Sequence, residues 1–170
     1  MRDLRDRRPE ALDQLLADHG RRLQGVAYLI VGSHADAEEV VIDTMVTAWR
    51  KVGDLRDPAA LSSWLLRIAT RLALTRRRRI GASLALPPDA ADRLIGAGPP
   101  PIDGVALREA LATLPPRMRA AIVLHYYADL TVDAVAATLG RSPNTIKTQL
   151  REGLARLRTQ LADRSGGTDA

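Results

Sequence analysis

The chain is expected to be all-α: two small helical bundles joined by a flexible linker, with a helix-turn-helix in the C-terminal bundle. Three observations predict this. Apolar residues recur at three- and four-residue spacing on both sides of a proline-rich stretch. No alternating run of useful length or hairpin signal occurs, and a glycine stop followed by a Ser-Pro restart divides the last helical pattern.

Over residues 8–31, Leu12, Leu15, Leu16, Leu23, Val26, Ala27 and Ile30 keep helical spacing until Gly32-Ser33 interrupts it. A second helix is expected from near Asp36 to near Gly53, with Val40, Val41, Met45, Ala48 and Trp49 as its apolar stripe. Residues 54–60 read as a turn around Pro58. Residues 61–79 read as a third helix with Trp64, Leu65, Ile68, Ala69 and Leu72 on its inner side. Residues 80–103 hold five of the ten prolines and three glycines, which no long helix or strand tolerates, so a flexible linker is expected. Fully extended at about 3.3 Å per residue, it would reach roughly 80 Å. Two more helices, 104–114 and 116–128, precede the helix-turn-helix.

In that motif Thr131 is the expected N-cap, Asp133 suits the first turn, and Val132, Val135 and Leu139 recur at helical spacing. Gly140 is the expected left-handed stop. Ser142 supplies a new N-cap with Pro143 at the first helical position, where its missing N–H costs nothing. Ala136 and Ala137 are small enough for a close helix crossing. In the second helix Ile146, Leu150, Leu154 and Leu157 share one stripe, which leaves Asn144, Lys147, Thr148 and Arg151 on the opposite face. Asn and Arg can pair bidentately with base edges in the major groove, while Lys and Thr reach phosphates. Arg141, Ser142 and Thr145 at the helix entry complete the candidate DNA-binding set.

With 170 residues and 46% hydrophobic content, the chain can bury its cores without metal or disulfide staples. It has no cysteine, which excludes a disulfide framework, a thiolate metal site and a cysteine nucleophile. No window approaches the roughly 20 apolar residues of a membrane span, so a soluble cytoplasmic protein is expected. His19, His34 and His125 are scattered, with no carboxylate–histidine or glycine-loop constellation, so no catalytic residue, cofactor or metal is expected. The net charge of +5 is unevenly spread: 15 basic against 11 acidic residues over 1–79, 1 against 3 over 80–103, and 9 against 6 over 104–170. Two basic blocks flanking an acidic connector suit a polyanionic partner. The tail, residues 163–170, is small and polar and is expected to be disordered.

Two charge clusters stand out in the first bundle. Asp36, Glu38, Glu39 and Asp43 open the second helix, and Arg76, Arg77, Arg78 and Arg79 close the third. The helix dipole accounts for acids at an N-terminus and bases at a C-terminus, each worth about 0.3–1 kcal/mol. Four consecutive arginines exceed that need and fit a phosphate backbone.

The segments HADAEEVVIDTMVTAWRKV (residues 34–52), LSSWLLRIATRLALTRRRR (61–79) and LATLPPRMRAAIVLHYYADLTVDAVAATLGRSPNTIKTQLREGLARLR (111–158) resemble, in order and spacing, the successive segments of bacterial RNA polymerase sigma factors of the small extracytoplasmic-function (ECF) class. The resemblance covers both bundles. It implies a region 2-like domain over 8–79 that binds core polymerase and the promoter −10 element, a linker over 80–103 that threads toward the active-site cleft, and a region 4-like domain over 104–162 that reads the −35 element. Core polymerase, through its β′ clamp helices and β flap, and promoter DNA are the implied partners, and an anti-sigma factor is the family's common control. By the same resemblance, Asp36, Glu38, Glu39, Asp43 and Trp49 would face polymerase. Ser63, Trp64, Arg67, Arg71, Arg76, Arg77 and Arg78 would face the −10 element, where family members load single-stranded bases and help open the duplex. The sequence departs from the family pattern at Ile42, where Gln is common, at Met45 in place of Phe, at Arg71 and Thr75 in place of Asn and Asp, and at Gln149 and Glu152 in the recognition helix. The alternative reading is a stand-alone helix-turn-helix regulator whose first bundle dimerises or senses a ligand.

Overall fold

Capping residues divide the chain into its elements. In the computed structural model, which describes residues 8–82 and 105–165, every regular element is helical. The first helix, α1 (Pro9–Val31), begins with proline in its first turn, where the missing N–H costs nothing, and ends at Gly32 in the left-handed conformation. Ser33 accepts a hydrogen bond from the Asp36 amide at 3.3 Å and so starts α2 (His34–Lys51), two residues ahead of the expected Asp36. Two short 3-10 turns, Val52–Asp54 and Pro58–Ala60, replace the simple turn expected over 54–60, the second capped by Asp57 Oδ1 on the Ala59 amide at 2.9 Å. They lead into α3 (Leu61–Ala82), which runs three residues past the boundary that the sequence places at Arg79.

These helices form one compact unit in which each packs on the other two. Leu15, Leu23, Val26, Ala27 and Ile30 of α1 are buried against Val40, Val41, Met45 and Ala48 of α2 and against Leu65, Leu66, Ala69 and Ala73 of α3. The expected stripes are largely those observed. The exceptions are Leu16, which is exposed, Leu12 and Trp49, which are half-buried, and Trp64, Ile68 and Leu72, which are only half-buried because the inner face of α3 is centred on Leu65 and Ala69.

The second compact unit holds α4 (Val105–Thr113), α5 (Pro116–Ile122), α6 (Val132–Leu139) and α7 (Pro143–Ser165). The helix expected over 116–128 changes hand-hold part-way: Val123–Tyr127 is a π turn, closed by Ala128 N–H on Val123 O at 3.0 Å. His125 Nδ1–H donates to Leu130 O at 2.7 Å, and its ring meets Tyr126 edge-on with centroids 4.7 Å apart, so this histidine braces the turn. Arg119 is buried in the middle of the unit, and its Nη2 donates to the carbonyls of Ala112 and Leu114 at the end of α4, a favourable site for a cation against the helix dipole. Long α7 crosses α4, α5 and α6, burying Ile146, Leu150 and Leu157. Leu154 is only half-buried. The close approach comes at Gly153, where an added Cβ would lie 2.5 Å from Ile122 Cδ1 and 3.1 Å from Met118 Cγ. Of the two small residues expected at the crossing, Ala136 is buried and Ala137 is exposed. Helix α7 continues to Ser165, where the sequence places the onset of a disordered tail at Asp163. The expected linker from residue 83 onward and the last five residues of the expected tail lie outside the described residues.

Candidate nucleic-acid interfaces

Helices α6 and α7 are separated by Gly140, Arg141 and Ser142 alone. Gly140 sits at φ 63°, a conformation that L side chains rarely adopt, and its N–H and that of Arg141 both return to Ala136 O, which seals the end of α6. Thr131 Oγ1 caps the start of α6 on the Ala134 amide at 3.2 Å. Ser142 Oγ caps α7 on the Thr145 amide at 3.1 Å and also meets Thr145 Oγ1 at 2.9 Å, so both hydroxyls form the cap. Every sequence-expected residue of this set, Arg141, Ser142, Asn144, Thr145, Lys147, Thr148 and Arg151, is exposed. Neither Lys147 nor Arg151 has an ion-pair partner among the described residues. A cationic face with its donors unspent lies opposite a buried stripe of Ile146, Leu150 and Leu157.

On α3 the basic residues part company. Arg67, Arg71 and Arg78, at spacings of four and seven, share one exposed face about 16 Å long at 1.5 Å per residue. Arg76 and Arg77 point elsewhere. Arg76 Nε pairs with Asp36 Oδ1 and its Nη1 with Glu39 Oε2, while Arg77 Nη1 donates to Val31 O at 3.2 Å at the end of α1. Burial alone would lower the Arg76 pKa, but the hydrogen bonds and charges of Asp36 and Glu39 outweigh it and hold the guanidinium above its ordinary value. Ser63 Oγ bonds Ala60 O at 2.9 Å, and Trp64 is half-buried. Arg22 Nη1 reaches Ser62 Oγ at 3.1 Å and ties α1 to the start of α3.

The outward face of α2 combines acids with apolar side chains. Ile42 and Val46, one turn apart, are 61% and 42% exposed, flanked by Glu39 and Asp43 on one side and by Glu38 and half-buried Trp49 on the other. The sequence reading missed both apolar residues, although Ile42 stands where the ECF pattern has a polar side chain. Asp36 and Asp43 line a cleft of about 390 Å³ between α2 and α3, with Val40, Leu72, Thr75, Arg76 and Arg79. Among the described residues no group of three or more His, Asp or Glu is placed to hold a metal ion.

Comparison with known proteins decides the family. The Sigma-70 region 2 family profile matches residues 15–82 and the Sigma-70, region 4 profile matches residues 104–157. The ECF RNA polymerase sigma factor SigE of Mycolicibacterium smegmatis is 34% identical over 165 residues, which are 92% of this chain and 63% of that protein. SigM of Mycobacterium tuberculosis, also an ECF RNA polymerase sigma factor, is 34% identical over 151 residues, covering 86% and 75%. The chain belongs to the ECF sigma factors. It spans less than two thirds of SigE and three quarters of SigM. The sigma factor RpoE of Bartonella quintana, solved with the anti-sigma factor NepR, shares the fold with a TM-score of 0.74 at 23% identity over 95% of this chain and 99% of that one.

Within this sigma factor, the region 2 match takes in α1 from Leu15 onward together with α2 and α3, and the region 4 match takes in α4 to α6 and α7 as far as Leu157. Among the described residues no helix is long and apolar enough to cross a membrane.

Proposed function

We propose that this ECF sigma factor binds core RNA polymerase and directs it to promoters, α7 reading the −35 element in the major groove and α3 engaging the −10 element. The observation that carries this reading is the exposed face of Asn144, Lys147, Thr148 and Arg151, whose donors are free of internal ion pairs among the described residues. Asn144 and Arg151 would read base edges, while Lys147, Thr148 and the α7 N-terminus would hold phosphates. On α3, Arg67, Arg71 and Arg78 would track the backbone of the −10 segment, with Ser63 and Trp64 at the strand-separated end. Residues 8–79 would act as the polymerase and −10 module and residues 104–162 as the −35 module.

Polymerase would dock on α2. Ile42 and Val46 supply the apolar centre of that contact, and Glu38, Glu39 and Asp43 a rim that selects a basic partner, the usual division between anchors and steering charges. The protein would work in the cytoplasm, with no chemistry of its own. Run-off transcription with purified core polymerase tests the proposal. Initiation dependent on this chain supports it, whereas duplex DNA binding unaffected by polymerase, with no transcript, would return the protein to the stand-alone regulators.

A further inference from the structure

The four-arginine run is divided by the helix into two functions. Arg78 and Arg79 are exposed, while Arg76 is turned toward the N-terminal half of α2, where it holds Asp36 and Glu39 together. Glu39 belongs to the rim assigned above to polymerase, and Asp36 to the acidic set that the family resemblance assigns to it. Arg76 itself stands on the helix assigned to DNA.

We propose that Arg76 is a positioning residue that latches these two faces together: in the free chain it occupies Asp36 and Glu39, and a basic side chain of core polymerase docking on α2 displaces it and frees it for a DNA phosphate. The inference rests on the polymerase and DNA readings of α2 and α3. Three observations support it. The latch is open to exchange, because the side chains of Arg76, Asp36 and Glu39 are 31%, 21% and 59% exposed, so solvent and a competing cation can reach them. The cleft beside it offers an entry, since its walls include Asp36 and Asp43 and its apolar floor of Val40 and Leu72 can take the alkyl stem of a lysine or arginine. Arg76 lies roughly half a turn around α3 from the Arg67, Arg71 and Arg78 stripe, on the side turned to α2, so a phosphate contact by it requires that the ion pairs first be given up.

Exchange of partners makes polymerase and DNA binding mutually reinforcing. Each ligand removes one side of an internal pair that the other must also break, and the coupling is reciprocal by linkage. The pairs are partly exposed, so each is weak and the coupling is modest, on the order of three- to tenfold.

Two measurements on the full chain test this. Arg76→Gln leaves Asp36 and Glu39 uncompensated and is expected to bind core polymerase about three- to tenfold more tightly than the parent at equal salt. Equal or weaker binding, with the parent's thermal melt retained, overturns the latch. Glu39→Gln and Asp43→Asn each remove one negative charge, but only the first loosens Arg76. Without polymerase, Glu39→Gln is expected to tighten binding to promoter DNA about threefold more than Asp43→Asn. Equal effects of the two variants overturn the proposal. Failure of the parent to bind core polymerase at all counts against the sigma-factor reading of α2, and the comparison of the two acid variants, made without polymerase, still decides the latch.

Discussion

In the C-terminal unit the candidate DNA face of α7 shows Lys147 and Arg151 exposed with no carboxylate held by either among the described residues, whereas in the N-terminal unit two of four consecutive arginines turn back onto their own bundle. Both faces are basic in sequence, but their charges are differently available in space. The difference lies in helical phase. On α7 the donors fall opposite a leucine stripe, so pattern and exposure agree. On α3 four neighbouring residues sweep through most of a turn, and only some can face the same partner. Charge composition identifies a nucleic-acid surface, and phase selects the residues within it.

The comparison can be broken most severely at Leu150, which is buried behind the recognition face. Leu150→Asp places an unpaired charge there and is expected to remove the cooperative melt of the C-terminal unit while the N-terminal unit's helical signal persists in circular dichroism. Retention of both transitions would mean that α7 does not depend on this core. Next in size is Arg119→Ala, which strands the carbonyls of Ala112 and Leu114 and opens a void, for an expected loss of about 2–4 kcal/mol in denaturant unfolding.

Smaller effects sharpen the comparison at the DNA. Asn144→Ala and Arg151→Ala are each expected to relax discrimination at particular −35 positions by about 1–3 kcal/mol, while Lys147→Ala weakens all sequences alike and lowers the salt slope by about one. Parent-like binding of all three variants across a panel of −35 sequences would overturn the assigned face. The smallest effect separates two neighbours on α3. Arg78→Ala is expected to lower the salt slope of holoenzyme on −10 DNA by about one, and Arg77→Ala to leave the slope unchanged and cost about 0.3–1 kcal/mol of stability through the lost contact at the end of α1. Identical slopes for the two variants would show that phase on α3 does not select the contacts.

Features written in local chemistry were legible in the sequence. The Thr131 cap, the Gly140 stop and the Ser142-Pro143 restart depend on a few adjacent residues, and each is observed. Features that depend on what a residue meets across the bundle were not. Gly153 admits Ile122 and Met118 to close range, a role set by the neighbouring helix and not by adjacent residues. The burial of Arg119 depends on the carbonyls of Ala112 and Leu114 that it meets, and the π turn at Val123–Tyr127 leaves no mark on apolar spacing. The exposure of Ile42 and Val46 was hidden for a related reason: α2 carries apolar residues on both its inner and its outer face, so periodicity alone could not tell core from contact. Arg76, Arg77 and Arg78 are neighbours along the chain but not around the helix, so adjacency in sequence does not give them a common partner.

Selection of active templates from a library randomised upstream of the start site, using core polymerase reconstituted with this chain, tests the central claim most directly. Two separated sequence blocks are expected among the initiating templates, with Asn144→Ala and Arg151→Ala altering only the upstream one. A single block, or enrichment that is the same with and without the chain, would contradict the account.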